Sequence, residues 1–355
     1  MNLFSCQHCG QLVYFENIRC ERCGYALGYQ LDTNRIVALE SVGDGSWRSE
    51  DGVAARYCAN VAHGVCNWLV PPDASPDALC ESCGLNRTIP DLSVATNLES
   101  WRRLELAKHR LVYSLQRLGL PIVSGHAYQG GLLFDFLSGH GQAGESQPVT
   151  TGHANGVVTI DLSEADPAVR TQRRQGLGER FRTLLGHFRH EAAHYYFTHL
   201  ISEGAHQGPG PSCDSFRDAF GDESRDYGAA LDTYYAQGPR SDWNQSFVSA
   251  YASSHPHEDW AETFAHYIHI VDTLDSARAF GIRAKPEVTD ELTLDARFDA
   301  YTERDFDRLW ATWLPLTFAM NELNRSVGND DLYPFVLSRT AVEKLRFVHR
   351  TIKGY

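Results

Sequence analysis

Eight of the nine cysteines fall within the first 83 residues, and their spacing limits that segment to very few folds. Cys6/Cys9 and Cys20/Cys23 are two Cys-x-x-Cys pairs, each followed by a glycine, Gly10 and Gly24. Glycine permits the tight turn that aims backbone N–H groups at the thiolates, and four thiolates at this spacing suit one tetrahedral zinc ion. The competing reading, two disulfides, needs an oxidising compartment. The opening residues Met1–Cys6 carry no basic stretch and no apolar run of a secretory leader, so a reducing, cytoplasmic setting is expected. A second quartet, Cys58, Cys66, Cys80 and Cys83, is less regular. Cys80/Cys83 is another knuckle, whereas Cys58 and Cys66 lack knuckle spacing. His63 could replace one of them, or both could be small buried hydrophobes. Two structural zinc sites are expected. Cys213 follows a Gly/Pro-rich stretch and reads as a free thiol in a loop.

The rest of the 355 residues is long enough for a large core, and 43% hydrophobic with 22% charged residues is globular composition. No run reaches the roughly 20 apolar residues of a membrane span. Charge argues further. The chain has 32 basic and 45 acidic residues, a net of −13, and residues 1–95 alone have 6 against 11. Zinc held by four thiolates adds negative charge, so neither nucleic acid nor an anionic membrane is an expected partner. A peptide or protein is.

Residues 1–95 read as a β-rich zinc-ribbon domain, with strand-like runs at Leu12–Phe15 and Tyr25–Tyr29. Residues 96–355 read as mostly helical with a small sheet, which makes the chain α+β. Thr96-Asn97-Leu98-Glu99 has the pattern of a capping box opening a helix that runs to Leu118 and ends at Gly119 and Pro121. Leu132–Leu137 and Val157–Leu162 read as strands, with Ser138–Gly156 as a loop between them. Apolar periodicity predicts helices over Leu177–Ile201, Pro256–Leu274 and Thr340–Ile352, with mixed helical character over Ser215–Tyr235.

The chemistry concentrates in the first of these helices. His190-Glu191-Ala192-Ala193-His194 puts two imidazoles at i and i+4, on one face and within reach of one metal. Glu191, beside them, can take a proton from a metal-bound water. A catalytic zinc needs a third protein ligand and an open position. Candidates lie in His255-Pro256-His257-Glu258-Asp259-Trp260-Ala261-Glu262. Pro256 suits a first helical turn, so Glu258 falls where the helix dipole favours an ionised carboxylate. Glu262 is one turn on, placed to hold the second N–H of a ligating histidine. His257 and Asp259 are alternatives that point about 100° away. His187 and His199, near the motif, read as structural.

The segments Leu184–Tyr196, Gly221–Tyr227, Trp243–His269 and Cys80–Leu92 resemble a bacterial family of zinc metallopeptidases with an N-terminal zinc-ribbon domain. The resemblance implies a zincin-type, gluzincin-like peptidase domain with one catalytic zinc on His190, His194 and Glu258. Glu262, four residues after Glu258, matches the acidic residue behind the ligands in such enzymes. Tyr251, seven before Glu258, matches the tyrosine that reaches the oxyanion in the lethal-factor-like group. It further implies Glu191 as general base, and a peptide paired with an edge strand, for which Val157–Leu162 is the candidate. Residues Glu203–Trp243 have no counterpart role. A zinc-binding scaffold without turnover is the alternative; it would have no use for Glu191.

Overall fold

A computed structural model describes residues 3–139, 149, 151–177, 183–202 and 211–354, with the backbone only for 173–177. The chain begins with a two-stranded ribbon, β1 (Phe4–Ser5) and β2 (Leu12–Val13). A five-stranded antiparallel meander follows: β3 (Ala26–Gln30), β4 (Arg35–Gly43), β5 (Ser46–Ser49), β6 (Ala54–Tyr57) and β7 (Leu69–Val70). Then come β8 (Asn86–Thr88), α1 (Ala95–Arg117), β9 (Leu133–Leu137), β10 (Gly152–Ala154) and β11 (Val157–Asp161). The remainder is α2 (Pro167–Leu177), α3 (Leu184–Phe197), α4 (Cys213–Phe220), α5 (Tyr227–Gln237), α6 (Pro256–Ala279), the small hairpin β12 (Arg283–Ala284) and β13 (Leu294–Asp295), α7 (Phe306–Ser326) and α8 (Arg339–Lys353). The order is α+β, a strand-rich cysteine segment and then helices with a small sheet. No helix among the described residues is long and apolar enough to cross a membrane.

The two segments share a core. Phe15 packs edge-on against Tyr113 of α1 at 5.3 Å between ring centroids, and Trp68 lies 5.2 Å from His109 one turn earlier. The sheet beside α3 has the order β10-β11-β9-β8, so β8, which precedes α1, is one of its outer strands. Arg87 of β8 ion-pairs with the buried Asp135 of β9 across that edge. Phe134 and Phe136 of β9 meet Phe188 of α3, which lays α3 across the sheet.

α3 and α6 form the frame of the site. Trp260 Nε1 donates to the Ala193 carbonyl at 2.8 Å, fixing α6 against the middle of α3. Deeper, Arg189 of α3 pairs with Asp272 of α6, and Ser114 of α1 donates to that same carboxylate at 2.8 Å. All three groups are buried, so breaking this junction would strand a charge without solvent, which is costly.

Several expectations change. α1 starts at Ala95, with Val94 as its cap residue and no side-chain cap. Thr96 is therefore already inside the helix, and Glu99 pairs outward with Arg102 and Arg103 rather than closing a capping box. The helix carrying the His/Glu motif begins at Leu184, where the Thr183 hydroxyl accepts the Gly186 N–H at 2.9 Å; the expected start at Leu177 instead ends α2, and residues 178–182 lie outside the described residues. Cys213 opens α4 rather than sitting in a loop. The stretch read as a loop, Ser138–Gly156, contains β10. As a result Val157–Asp161 is an inner strand between β10 and β9, and the edge on that side of the sheet is β10.

Candidate active site and cysteine centres

Both cysteine quartets assemble. The sulfurs of Cys6, Cys9, Cys20 and Cys23 all lie within 4.8 Å of one another, as do those of Cys58, Cys66, Cys80 and Cys83. Measured pairs are 3.6 Å (Cys6–Cys23, Cys9–Cys20) and 3.7 Å (Cys66–Cys80). A tetrahedron with metal–sulfur bonds of about 2.3 Å has edges of about 3.8 Å, whereas a disulfide is about 2 Å. These separations fit a shared ion and exclude the disulfide reading. Gly10 and Gly24 adopt φ of 72° and 79°, the left-handed turn expected after each knuckle of the first quartet. The Cys23 backbone N–H is the foremost group bringing the Cys20 thiol down to about 6. In the second quartet the Cys80 N–H donates to Cys58 Sγ at 3.3 Å and the Trp68 N–H to Cys66 Sγ at 3.3 Å. Cys58 and Cys66 thus join the quartet, and His63 is not needed: its ring lies against Trp101. His109 of α1 stands behind this quartet, Nε2 3.8 Å from Cys83 Sγ and Nδ1 2.7 Å from the Glu105 carbonyl.

The third donor set joins α3 to α6. His190, His194 and Glu258 each offer one atom within 4.8 Å of the others. Pro256 occupies the first turn of α6 and His255 caps it, which puts Glu258 at the helix N-terminus as the sequence suggested. His190 Nδ1 donates to Glu262 Oε1 at 2.7 Å, and the Ser249 hydroxyl holds the other oxygen of Glu262 at 2.7 Å. With Nδ1 committed to Glu262, a neutral His190 would turn its Nε2 lone pair toward Glu258 Oε2, 3.0 Å away. Glu258 Oε2 is buried and has no hydrogen-bond partner among the described residues. A cation, either a proton on His190 or a metal ion, must stand between these two groups, and the donor set of two imidazoles and one carboxylate is one that fits zinc. Burial raises the Glu258 carboxyl, but His194, His190 and the Tyr227 hydroxyl outweigh it and hold the group well below the usual carboxylate range. The alternatives point elsewhere: Asp259 is buried on Lys344 at 2.5 Å, and the His257 ring packs on Phe197.

Three further groups border the set. Tyr251 has its ring 6.0 Å from that of His190, and burial pushes its hydroxyl pKa up. Tyr227, from the segment to which sequence assigned no role, donates its hydroxyl to Glu258 Oε1 at 2.6 Å. His153 of β10 stacks on His194, 6.2 Å apart and 16° from parallel. Glu191 is buried, with Oε1 3.2 Å from His187 Nε2, and His187 Nδ1 lies 2.6 Å from Glu164. His187 thus links Glu164 to Glu191. Burial lowers its pKa, but Glu164 and Glu191 outweigh this and bring it up to about 9. Burial likewise raises Glu191, and the His187 bond with the imidazoles nearby more than offsets it. The i, i+4 spacing of His187 and Glu191 was a readable signal; Tyr227 and His153, which approach across tertiary contacts, left none.

Residues 97–351 match the model of a family described as "Putative zinc-binding metallo-peptidase", and residues 3–94 match a zinc-ribbon domain. Proteins described as uncharacterized, from Mycobacterium bovis (strain ATCC BAA-935 / AF2122/97) and from Mycobacterium tuberculosis strains CDC 1551 and ATCC 25618 / H37Rv, are each 41% identical over 353 residues, covering 99% of this chain and 95% of theirs. No solved structure matches. With the match running through nearly all of its helical segment and the zinc ribbon in front of it, the chain belongs to this zinc-binding metallo-peptidase family.

Proposed function

We propose that the protein is a gluzincin-type peptidase that hydrolyses peptide bonds, with two further zinc ions serving structure in the cysteine quartets. The observation that carries the reading is the meeting of His190 Nε2, His194 and the orphaned Glu258 oxygen on two helices, with Glu191 alongside. Zinc held by His190, His194 and Glu258 would supply a Lewis acid and bring the pKa of a water toward neutrality. Glu191, kept ionised by His187, accepts the proton of the attacking water and returns it to the leaving nitrogen. Glu262 fixes the tautomer and aim of His190. Tyr251 is the proposed donor to the developing oxyanion. β10, the outermost strand on that side of the sheet among the described residues and beside α3, is the place for an extended peptide, with His153 at its centre.

A non-catalytic scaffold needs neither a buried, ionised Glu191 nor the His187–Glu164 pair that supports it. The discriminating experiment is a proteome-wide cleavage profile of the wild-type chain beside Glu191→Gln. New peptide termini that appear with wild type and vanish with the variant are expected; identical profiles would leave the scaffold.

A further inference from the structure

α5 has a composition at odds with its position. Its sequence, Tyr227-Gly228-Ala229-Ala230-Leu231-Asp232-Thr233-Tyr234-Tyr235-Ala236-Gln237, carries one charged side chain, Asp232, yet no residue of the helix is buried. Tyr227, Ala230, Leu231 and Tyr234 recur at i, i+3, i+4 and i+7, the stripe by which a helix ordinarily packs on a core. Contacts at both ends show which way this stripe turns. At its start the Tyr227 hydroxyl is on Glu258 at 2.6 Å. At its end the Tyr234 ring is 5.7 Å from Tyr251, whose own ring is 6.0 Å from His190. The stripe therefore borders the His190/His194/Glu258 set, and Ala230 and Leu231, midway along it, stay partly exposed. Tyr235, next to Tyr234, is 58% exposed. The helix is independently well formed, with Asp226 accepting the Ala229 N–H at 2.9 Å and Gly238 ending it at φ 78°.

We propose that this stripe is the specificity wall of the site and takes a large apolar side chain of a peptide, adjacent to the bond presented to Glu191. The proposal rests on the peptidase reading above for the identity of the occupant. Two observations favour a peptide side chain. The stripe is continuous with the metal-binding residues through Tyr227. β10 reaches the same residues, with His153 stacked on His194, so a peptide paired with it would lie beside the metal-binding residues that the stripe borders. The wall offers apolar surface and ring faces with no charge of its own, since Asp232, the one charge of the helix, falls about 150° around the helix from the stripe. Covering a Leu- or Phe-sized side chain on it favours binding by about 10-fold or more over a small polar one.

The test uses the full zinc-loaded chain carrying Glu191→Gln, so that peptides bind without turnover. Two pools of end-blocked hexapeptides are compared by affinity selection, one with Phe, Leu or Met at the central positions and one with Ser, Asn or Glu. About 10-fold tighter binding of the apolar pool is expected, falling to about 2-fold or less when Leu231→Asp is added. Tyr235→Ser, at an exposed position that does not threaten folding, should erode the preference in the same direction. Zinc content should be unchanged in both. Equal binding of the two pools, or an apolar preference that survives both substitutions, overturns the wall. So would equal binding combined with a dimer that Leu231→Asp dissociates, which would assign the stripe to a second copy of the chain. Apolar preference without any cleavage by the wild-type chain would instead sink the peptidase reading and leave the wall standing.

Discussion

The second cysteine quartet and the His190/His194/Glu258 set are both buried donor clusters, but they are completed differently. The quartet closes on itself, with four sulfurs, backbone N–H groups on the sulfurs and α1 packed behind. The other set stops at three donors and has a buried acid, an edge strand and an exposed helix around it. A site with four protein ligands has no coordination position to offer a reactant, whereas one with three does. Under the proposed function the same zinc chemistry is structural at one place and reactive at the other, from donor number and from what stands next to the donors.

Breaking the closed site should have the largest effect. Structural zinc in small modules contributes on the order of 10 kcal/mol to folding. The second quartet also lies in the core shared with α1, so Cys83→Ser should unfold the peptidase segment along with the ribbon. Cys23→Ser, in the half-exposed first quartet, should disorder the N-terminal ribbon and leave α3 and α6 intact. Circular dichroism and amide NMR dispersion would check both; equal damage from the two would erase the distinction between the quartets. At the open site, Glu258→Ala should strip most of that zinc. Glu262→Ala should weaken affinity or activity by about 10- to 100-fold while the site still fills at high zinc. Metal titration decides, and a reversed order would exchange the roles of the two carboxylates.

Smaller effects sharpen the comparison. His187→Ala removes a cationic partner from Glu191, so the carboxyl pKa must rise. The base form is then lost at a higher pH, and the acidic limb of the kcat/KM profile should move upward on the pH axis. A limb that stays in place would deny His187 any influence on the base. Tyr251→Phe should lower kcat with little change in KM, because a bond to the oxyanion forms mainly in the transition state. A change confined to KM would make Tyr251 a binding residue.

Much of the site was legible because its logic is local. Both quartets contain a Cys-x-x-Cys pair, His190 and His194 share a helix face, and Pro256 marks the turn that positions Glu258. Elements defined by partners far along the chain were not. β10, Gly152-His153-Ala154, is an exception, since it pairs with the adjacent β11 through the Asn155-Gly156 turn, a local hairpin signal that the loop reading passes over because three residues show no alternation. That one omission moved the expected edge to the wrong strand. Tyr227 finds Glu258 across 31 residues, and Glu164 finds His187 across 23. The Thr96–Glu99 pattern failed for a different reason. Asp91 accepts the Ser93 N–H and starts the turn early, so helical geometry is in place before Thr96 can cap it.

The central claim is that the three-donor site is reactive while the four-donor sites are not. Zinc content and peptide turnover measured on one preparation of Glu191→Gln test it most directly. The account predicts about three zinc ions per chain, as in the wild type, with turnover reduced by about 10²-fold or more, since a base is lost and no ligand is. Full turnover with zinc retained would contradict it.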